Sequence, residues 1–208
     1  MKRGKPLKRT KGARPEQRRF LIYCEGERTE NQYFKGLSAD LRTLPVAIRL
    51  GGEHGEPQSL VRAAIEHRKR APRSPEDRRT AYDEVWCVID VEAPRPHDGL
   101  DSALELARQH GIEVALTNSC FELWIMLHFH DVTGYRTSDQ AQKELERLGG
   151  CGYATSRKHL VYDTLRDGFE QARNRAEMLR SRSSKGHRHN PWTDVDRLVD
   201  LLRAARPA

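Results

Sequence analysis

Nothing in the 208-residue chain approaches twenty consecutive apolar residues, and its first residues contain no apolar run of the kind that directs export. A helix that crosses a bilayer needs about 20 such residues, so the sequence predicts a cytoplasmic protein without membrane contacts. Cysteine pairs at metal-binding spacing are missing too. Cys24, Cys87, Cys120 and Cys151 are scattered, and the first three lie in or beside apolar segments. That suits buried reduced thiols better than zinc ligands or disulfides. No internal repeat and no Gly-rich phosphate loop are present. The second absence argues against nucleotidyl transfer from a nucleotide triphosphate.

Positive charge is present but unevenly placed. The chain carries a net +7, yet residues 1–19 alone hold nine Lys or Arg against the single acid Glu16, so the remainder sums to −1. Residues 20–155 are acidic in balance, with 16 basic and 22 acidic groups. Residues 156–190 reverse this, with nine basic and four acidic groups plus His159, His187 and His189. An acidic body between two basic segments suits a centre that must hold a polyanion, because the basic parts neutralise phosphates that carboxylates would repel. Lys158, Arg173, Lys185, His187 and Arg188 are the candidate phosphate contacts. A solubilising tail and solvated helix faces explain the same charges without a ligand. Arg173, Arg175, Arg180 and Arg182 fall on more than one helix face, so no continuous basic stripe is implied.

The first 17 residues have too few apolar side chains to pack and are expected to form a flexible arm. From residue 18 the pattern alternates: strand to 24, helix 29–41, strand 46–50, helix 59–70, a Pro- and Arg-rich connector at 71–79, strand 84–90, helix 98–110 and strand 112–116. Gly111 closes the third of these helices as its left-handed cap. Such alternation predicts a parallel, doubly wound α/β sheet of four strands. An almost wholly apolar helix is expected at 121–129. Three further helices follow, at 138–148, 156–182 and 193–204, the last with Thr193 as its N-cap. The expected organisation is therefore a basic arm at 1–17, an α/β core at 18–134 and a helical part at 135–208 packed on that core.

Chemistry gathers at the strand ends. The run from Phe20 to Cys24 delivers Glu25 to the carboxyl end of a strand, where open α/β sheets build their sites. Val85 to Ile89 delivers Asp90 in the same way, and Glu92 should point with Asp90 because alternate strand residues share a face. Two acidic strand ends suggest a centre for a hard divalent cation, although loops are often acidic simply because they are solvated. Glu27 and Glu30 lie near enough to Glu25 to serve a second ion, but Glu30 also suits the first turn of a helix. Asn118 ends the last strand, where a carboxamide can orient a phosphate or water. Ser119 and Glu122 read equally as a capping box. His128 and His130, two apart on a helix, point away from each other, so His128 is expected to pack or to hydrogen-bond toward the acidic site rather than bind zinc.

The motifs Ile22-Tyr23-Cys24-Glu25-Gly26-Glu27-Arg28-Thr29-Glu30, Val88-Ile89-Asp90-Val91-Glu92 and Asn118-Ser119-Cys120-Phe121-Glu122-Leu123-Trp124, with His128-Phe129 and the closing Asn190-Pro191-Trp192-Thr193, resemble those of the RloB proteins, relatives of the AbiLii abortive-infection proteins. The resemblance runs from residue 18 to about 203. It implies a Toprim-like α/β body, in which a glutamate after the first strand and a DxD pair after the third hold Mg²⁺ for phosphoryl chemistry. Glu25 matches the glutamate. Asp90 and Glu92 match the pair, with Glu92 one methylene longer than the usual aspartate, and Asn118-Ser119-Cys120 replaces a family-like Asn-Pro-Cys.

The function this implies is a Mg²⁺- or Mn²⁺-dependent endonuclease, a toxic effector of prokaryotic anti-phage defence with an ATPase partner encoded nearby. RNA, with tRNA as one form, is the expected substrate ahead of DNA. The rival is a non-catalytic nucleic-acid-binding or scaffold subunit, which would keep the basic segments but not depend on the metal. Catalysis would rest on Glu25, Asp90 and Glu92, with Glu27 as a further ligand and Glu30, Asn118, Glu122 and His128 in support.

Overall fold

Strand β1 (Arg18–Cys24) is buried from Phe20 to its end, as a strand covered on both faces must be. It is the second strand of a five-stranded sheet ordered β2-β1-β3-β4-β5, seen in a computed structural model that describes residues 18–44, 46–69 and 81–204. Strands β2 (Val46–Leu50), β3 (Glu84–Asp90) and β4 (Glu113–Asn118) run parallel to β1. Strand β5 (Trp192–Thr193) closes the far edge in the antiparallel sense. The expected 1–17 arm and 71–79 connector lie outside the described residues.

Alternation along β1 and β3 divides the interior into two cores. Phe20, Ile22, Cys24, Trp86 and Val88 face one side with Tyr33, Phe34 and Leu37 of α1 (Thr29–Asp40) and the apolar residues of α4 (Glu122–Met126). Tyr33 sits at the centre of this side, its ring edge-on to Phe34, Phe121 and Trp124 at 5.3, 5.5 and 6.2 Å, geometries that add to simple area burial. Leu145 of α5 (Ser138–Leu148), Phe169, Ala172 and Ala176 of α6 (Phe169–Ser181) and Leu198 and Val199 of α7 (Val195–Arg203) belong to the same cluster. Leu21, Tyr23, Cys87 and Ile89 face the other side, against Leu60, Val61 and Ala64 of α2 (Pro57–Lys69) and Ala103 and Ala107 of α3 (Leu100–His110). Helix α3 ends at Gly111 in the left-handed conformation, φ 64°, as expected. All four cysteines are free and buried. Among the described residues no helix is long and apolar enough to cross a membrane.

The sheet has five strands rather than four. The extra one, β5, is only two residues long, too short to leave a periodic signal, and is held by Thr193 Oγ1 against Thr117 Oγ1 at 3.0 Å. Helix α7 consequently starts at Val195, and Thr193 is a strand residue instead of its cap. The single helix expected at 156–182 is also absent. Lys158 adopts φ 46° and Ala154 bridges His159, two short 3-10 turns follow at Tyr162–Thr164 and Arg166–Gly168, and α6 begins only at Phe169. Gly168 packs so closely that a Cβ there would lie 2.7 Å from the His128 carbonyl oxygen. The apolar 121–129 segment is helical only from Glu122 to Met126 before it continues as turns.

Candidate metal centre

Because β1 and β3 are parallel neighbours, their last residues emerge side by side. The Glu25 amide donates to the Val88 carbonyl at 3.1 Å, and the Asp90 amide donates to Glu25 Oε2 at 3.1 Å. The other oxygen of Glu25 lies 2.8 Å from His97 Nε2. Glu92 reaches the same place by a different route from the one its spacing suggests. Strand β3 ends at Asp90, and Glu92 stands beyond it at φ 68°, a left-handed conformation uncommon outside glycine. Its amide donates to the Ser119 carbonyl at 2.9 Å and its carboxylate accepts the Ser138 hydroxyl. One ligand atom each from Glu25, Glu92 and His97 lies within 4.8 Å of the others. Among the described residues cis peptide bonds occur at 93–94, 118–119 and 190–191, the first directly after Glu92 and the second at its partner Ser119.

Two further carboxylates stand behind. Glu30, buried on the first turn of α1, accepts the Gly26 amide at 3.0 Å. Glu122 is buried at the start of α4, where Glu122 Oε1 accepts the Thr29 hydroxyl at 3.1 Å and the Tyr153 hydroxyl at 2.7 Å. The capping box read from Ser119 and Glu122 does not form. Ser119 Oγ instead faces Cys120 Sγ, and the N-terminus of α4 has no side-chain cap. Burial raises the proton affinity of Asp90 far above the ordinary carboxylate range, and Glu30, Glu25, Glu122 and Glu92 raise it further. Burial, then the charge of Glu122, pushes Glu30 up to about 7. Glu25 is raised by burial too, with His97 opposing the shift.

The carboxylates are thus crowded with little to neutralise them. Their one ion-pair partner among the described residues is His97. Two carboxylates and an imidazole, presented together and short of positive charge, fit a divalent cation. The loop from Glu92 to Gly99, with Glu56, lines a cavity of about 500 Å³ beside them. A larger hollow of about 720 Å³ between α6 and α7 offers no such imbalance, since its Arg180 and Asp196, and its Arg173 and Asp200, are paired.

The other residues singled out by sequence fall in several places. Glu27 is exposed past the Gly26 turn, and its carbonyl accepts Asn31 Nδ2 at 2.9 Å. Asn118 donates to the His187 carbonyl at 2.9 Å and accepts from Asn190 Nδ2 at 2.9 Å, so its carboxamide fastens the 185–190 segment to the end of β4. His128 is buried, donates Nδ1–H to the Trp124 carbonyl at 3.0 Å and stays neutral, since burial lowers its pKa to about 4. Lys185, His187 and Arg188 occupy or precede a 3-10 turn (Gly186–Arg188) beside Asn118, with Arg188 held by Asp101 at 3.0 Å. Lys158 lies in a turn whose neighbour Arg157 accepts, at its carbonyl, the Arg28 guanidinium at 3.1 Å, which places it by the β1–α1 link. The turn that holds Lys158 therefore lies by the β1–α1 link, and the Lys185–Arg188 turn lies by the end of β4. Arg173 sits on α6 with Glu170 at 3.0 Å and Asp200 at 3.8 Å.

Sequence reasoning missed His97, and with it Glu56, whose Oε2 is 3.5 Å from His97 Nδ1. The signal was available: Pro94-Arg95-Pro96-His97 is the loop leaving the carboxyl end of β3, where the same positional rule that selected Asp90 applies. Ser138 and Tyr153 were invisible because they reach the carboxylates from distant segments.

Searches of curated proteins and of solved structures returned no match. The model of one protein family, described as RloB-like protein, matches residues 20–202. That span runs from within β1 to within α7, and the chain belongs to the RloB-like family.

Proposed function

We propose that the protein is a divalent-cation-dependent endonuclease of the Toprim type that acts on RNA, tRNA included, as a cytoplasmic toxic effector of anti-phage defence. The observation that carries this reading is the convergence of Glu25, Glu92 and His97 ligand atoms within 4.8 Å beside Asp90, at the carboxyl end of a parallel sheet. Glu25 and Glu92 would hold Mg²⁺ or Mn²⁺, with Asp90 adding negative charge behind them. The bound ion would supply Lewis-acid stabilisation of the charge that develops on a phosphodiester. Burial raises the proton affinity of Glu25 above that of an ordinary carboxylate, as suits a group that assists proton transfer. Lys158 on one flank and Lys185 and Arg188 on the other suit the phosphates of a strand laid across the centre. An ATPase partner that restrains the nuclease until infection is part of the same reading and rests on family resemblance alone.

Incubating the purified protein with total RNA and with plasmid DNA, with and without Mg²⁺ or Mn²⁺, tests it. Metal-dependent cleavage of RNA that disappears in Asp90→Asn is expected. Binding that weakens with salt but ignores both the metal and Asp90 would instead mark a non-catalytic nucleic-acid-binding subunit.

A further inference from the structure

We infer that His97 is a nitrogen ligand of this centre, oriented by Glu56, and that it makes the site prefer Mn²⁺ to Mg²⁺. The inference rests on the cation-binding reading above and specifies which ion that site takes.

The geometry of the imidazole leads to it. His97 Nε2 lies 2.8 Å from Glu25 Oε1, and adjacent ligands of an octahedral ion bound at about 2.1 Å are about 3.0 Å apart. The pair therefore already has the spacing of one octahedral edge. The remaining ligand, from Glu92, falls inside the 4.8 Å limit, and opposite ligands of such an ion are about 4.2 Å apart. A shift of a few tenths of an ångström brings all three onto one ion.

The second ring nitrogen supplies independent support. His97 Nδ1 faces Glu56 Oε2 at 3.5 Å. Histidines that bind metals characteristically present their other ring N–H to a carboxylate, which fixes the tautomer and strengthens the ligating nitrogen. With the proton on Nδ1 and directed at Glu56, the lone pair on Nε2 points toward Glu25 and the site of the ion. Glu56 is itself mostly exposed, its side chain 75% accessible, so it is free to follow the ring as the centre fills.

Ion preference follows from the donors. Mg²⁺ favours oxygen ligands and gives up water reluctantly. Imidazole suits transition-series ions better than it suits Mg²⁺, and Mn²⁺ is the member of that series that shares the taste of Mg²⁺ for carboxylates. Exchanging an oxygen ligand for His97 therefore raises affinity for Mn²⁺ while doing little for Mg²⁺.

The test uses the full chain and the metals alone. Calorimetric titration of the metal-free protein should give Mn²⁺ binding at least about tenfold tighter than Mg²⁺ binding. Electron spin-echo spectra of the Mn²⁺-loaded protein should show coupling to a histidine nitrogen. In His97→Gln that coupling should vanish and Mn²⁺ affinity should fall about tenfold or more, with Mg²⁺ affinity changed less than about threefold. Glu56→Gln, at an exposed position that does not endanger the fold, should keep the nitrogen signal and weaken Mn²⁺ binding by about tenfold. Mn²⁺ bound without a nitrogen signal, or an unchanged Mn²⁺ to Mg²⁺ ratio in His97→Gln, would overturn the inference and leave the cation reading standing. Failure of the wild-type protein to bind either ion would overturn both.

Discussion

Two regions of this molecule bury charge, and they do so in opposite ways. Between α6 and α7, Arg180 meets Asp196 through both guanidinium nitrogens and also donates to the Thr193 carbonyl at 2.7 Å. Each charge there has its opposite, and the pair is 14% and 3% accessible. At the ends of β1 and β3, Glu25, Glu30, Asp90, Glu92 and Glu122 are gathered with His97 as their one ion-pair partner among the described residues. The contrast separates structure from function. A matched pair holds two helices together, whereas the unmatched carboxylates raise the proton affinity of Asp90 and Glu30, an imbalance that a bound cation would relieve under the proposed reading.

Breaking the matched pair should have the largest effect on folding. Arg180→Met leaves Asp196 buried without its partner, and the expected loss is about 3–5 kcal/mol in chemical denaturation. Metal binding at the other region should be unchanged.

The unmatched region should show its strain through pH. Glu30 titrates at 4.5 when unfolded and at about 7 when folded. Below 4.5 it is protonated in both states and costs nothing. Between 4.5 and 7 the unfolded chain releases a proton that the folded chain keeps, so stability is lost as pH rises through this window and the loss is complete above it. Comparing wild type with Glu30→Gln by denaturation at several pH values should isolate the effect. The gap between them should grow by roughly 3 kcal/mol from pH 4 to pH 8 in favour of the variant, in metal-free buffer. A constant gap would show that Glu30 is not destabilised by its neighbours.

A smaller gain is expected for Asp90→Asn. Removing one crowded charge should stabilise the metal-free protein by about 1 kcal/mol at neutral pH, while metal-dependent cleavage is abolished. Loss of stability and activity together would make Asp90 a structural residue. Smallest of all is the effect on folding of deleting residues 1–17, expected to be nil. The truncation should instead reduce the dependence of nucleic-acid binding on salt, because it removes a dense run of Lys and Arg. Identical salt slopes would leave phosphate contact to the turns around Lys158 and Arg188.

How much of this was legible in the sequence depends on the range over which each signal acts. β1 and β3 are readable because continuous apolar runs mark strands covered on both faces, and Gly111 marks the end of α3 by its backbone alone. Glu25 and Asp90 follow from those runs. Glu92 was selected by a strand alternation that does not extend to it, and it reaches the centre through a left-handed turn pinned by Ser119 and Ser138. β5 and the broken 156–168 segment escape because both are set by tertiary partners: Thr117 pairs with Thr193, and Gly168 packs on His128. The capping reading of Glu122 fails for the same reason, since Thr29 and Tyr153, remote in sequence, claim its carboxylate.

The most direct test of the central claim is thermal melting of the metal-free protein titrated with Mn²⁺ at neutral pH, alongside Glu25→Gln. An ion that binds only the folded state stabilises it by about 2.7 kcal/mol at a hundred times its dissociation constant. The wild-type melting temperature should therefore climb with Mn²⁺ well beyond that of Glu25→Gln, although the variant starts higher because it has lost a buried charge. Equal responses in the two proteins, or none in the wild type, would contradict the claim that these carboxylates form a metal centre.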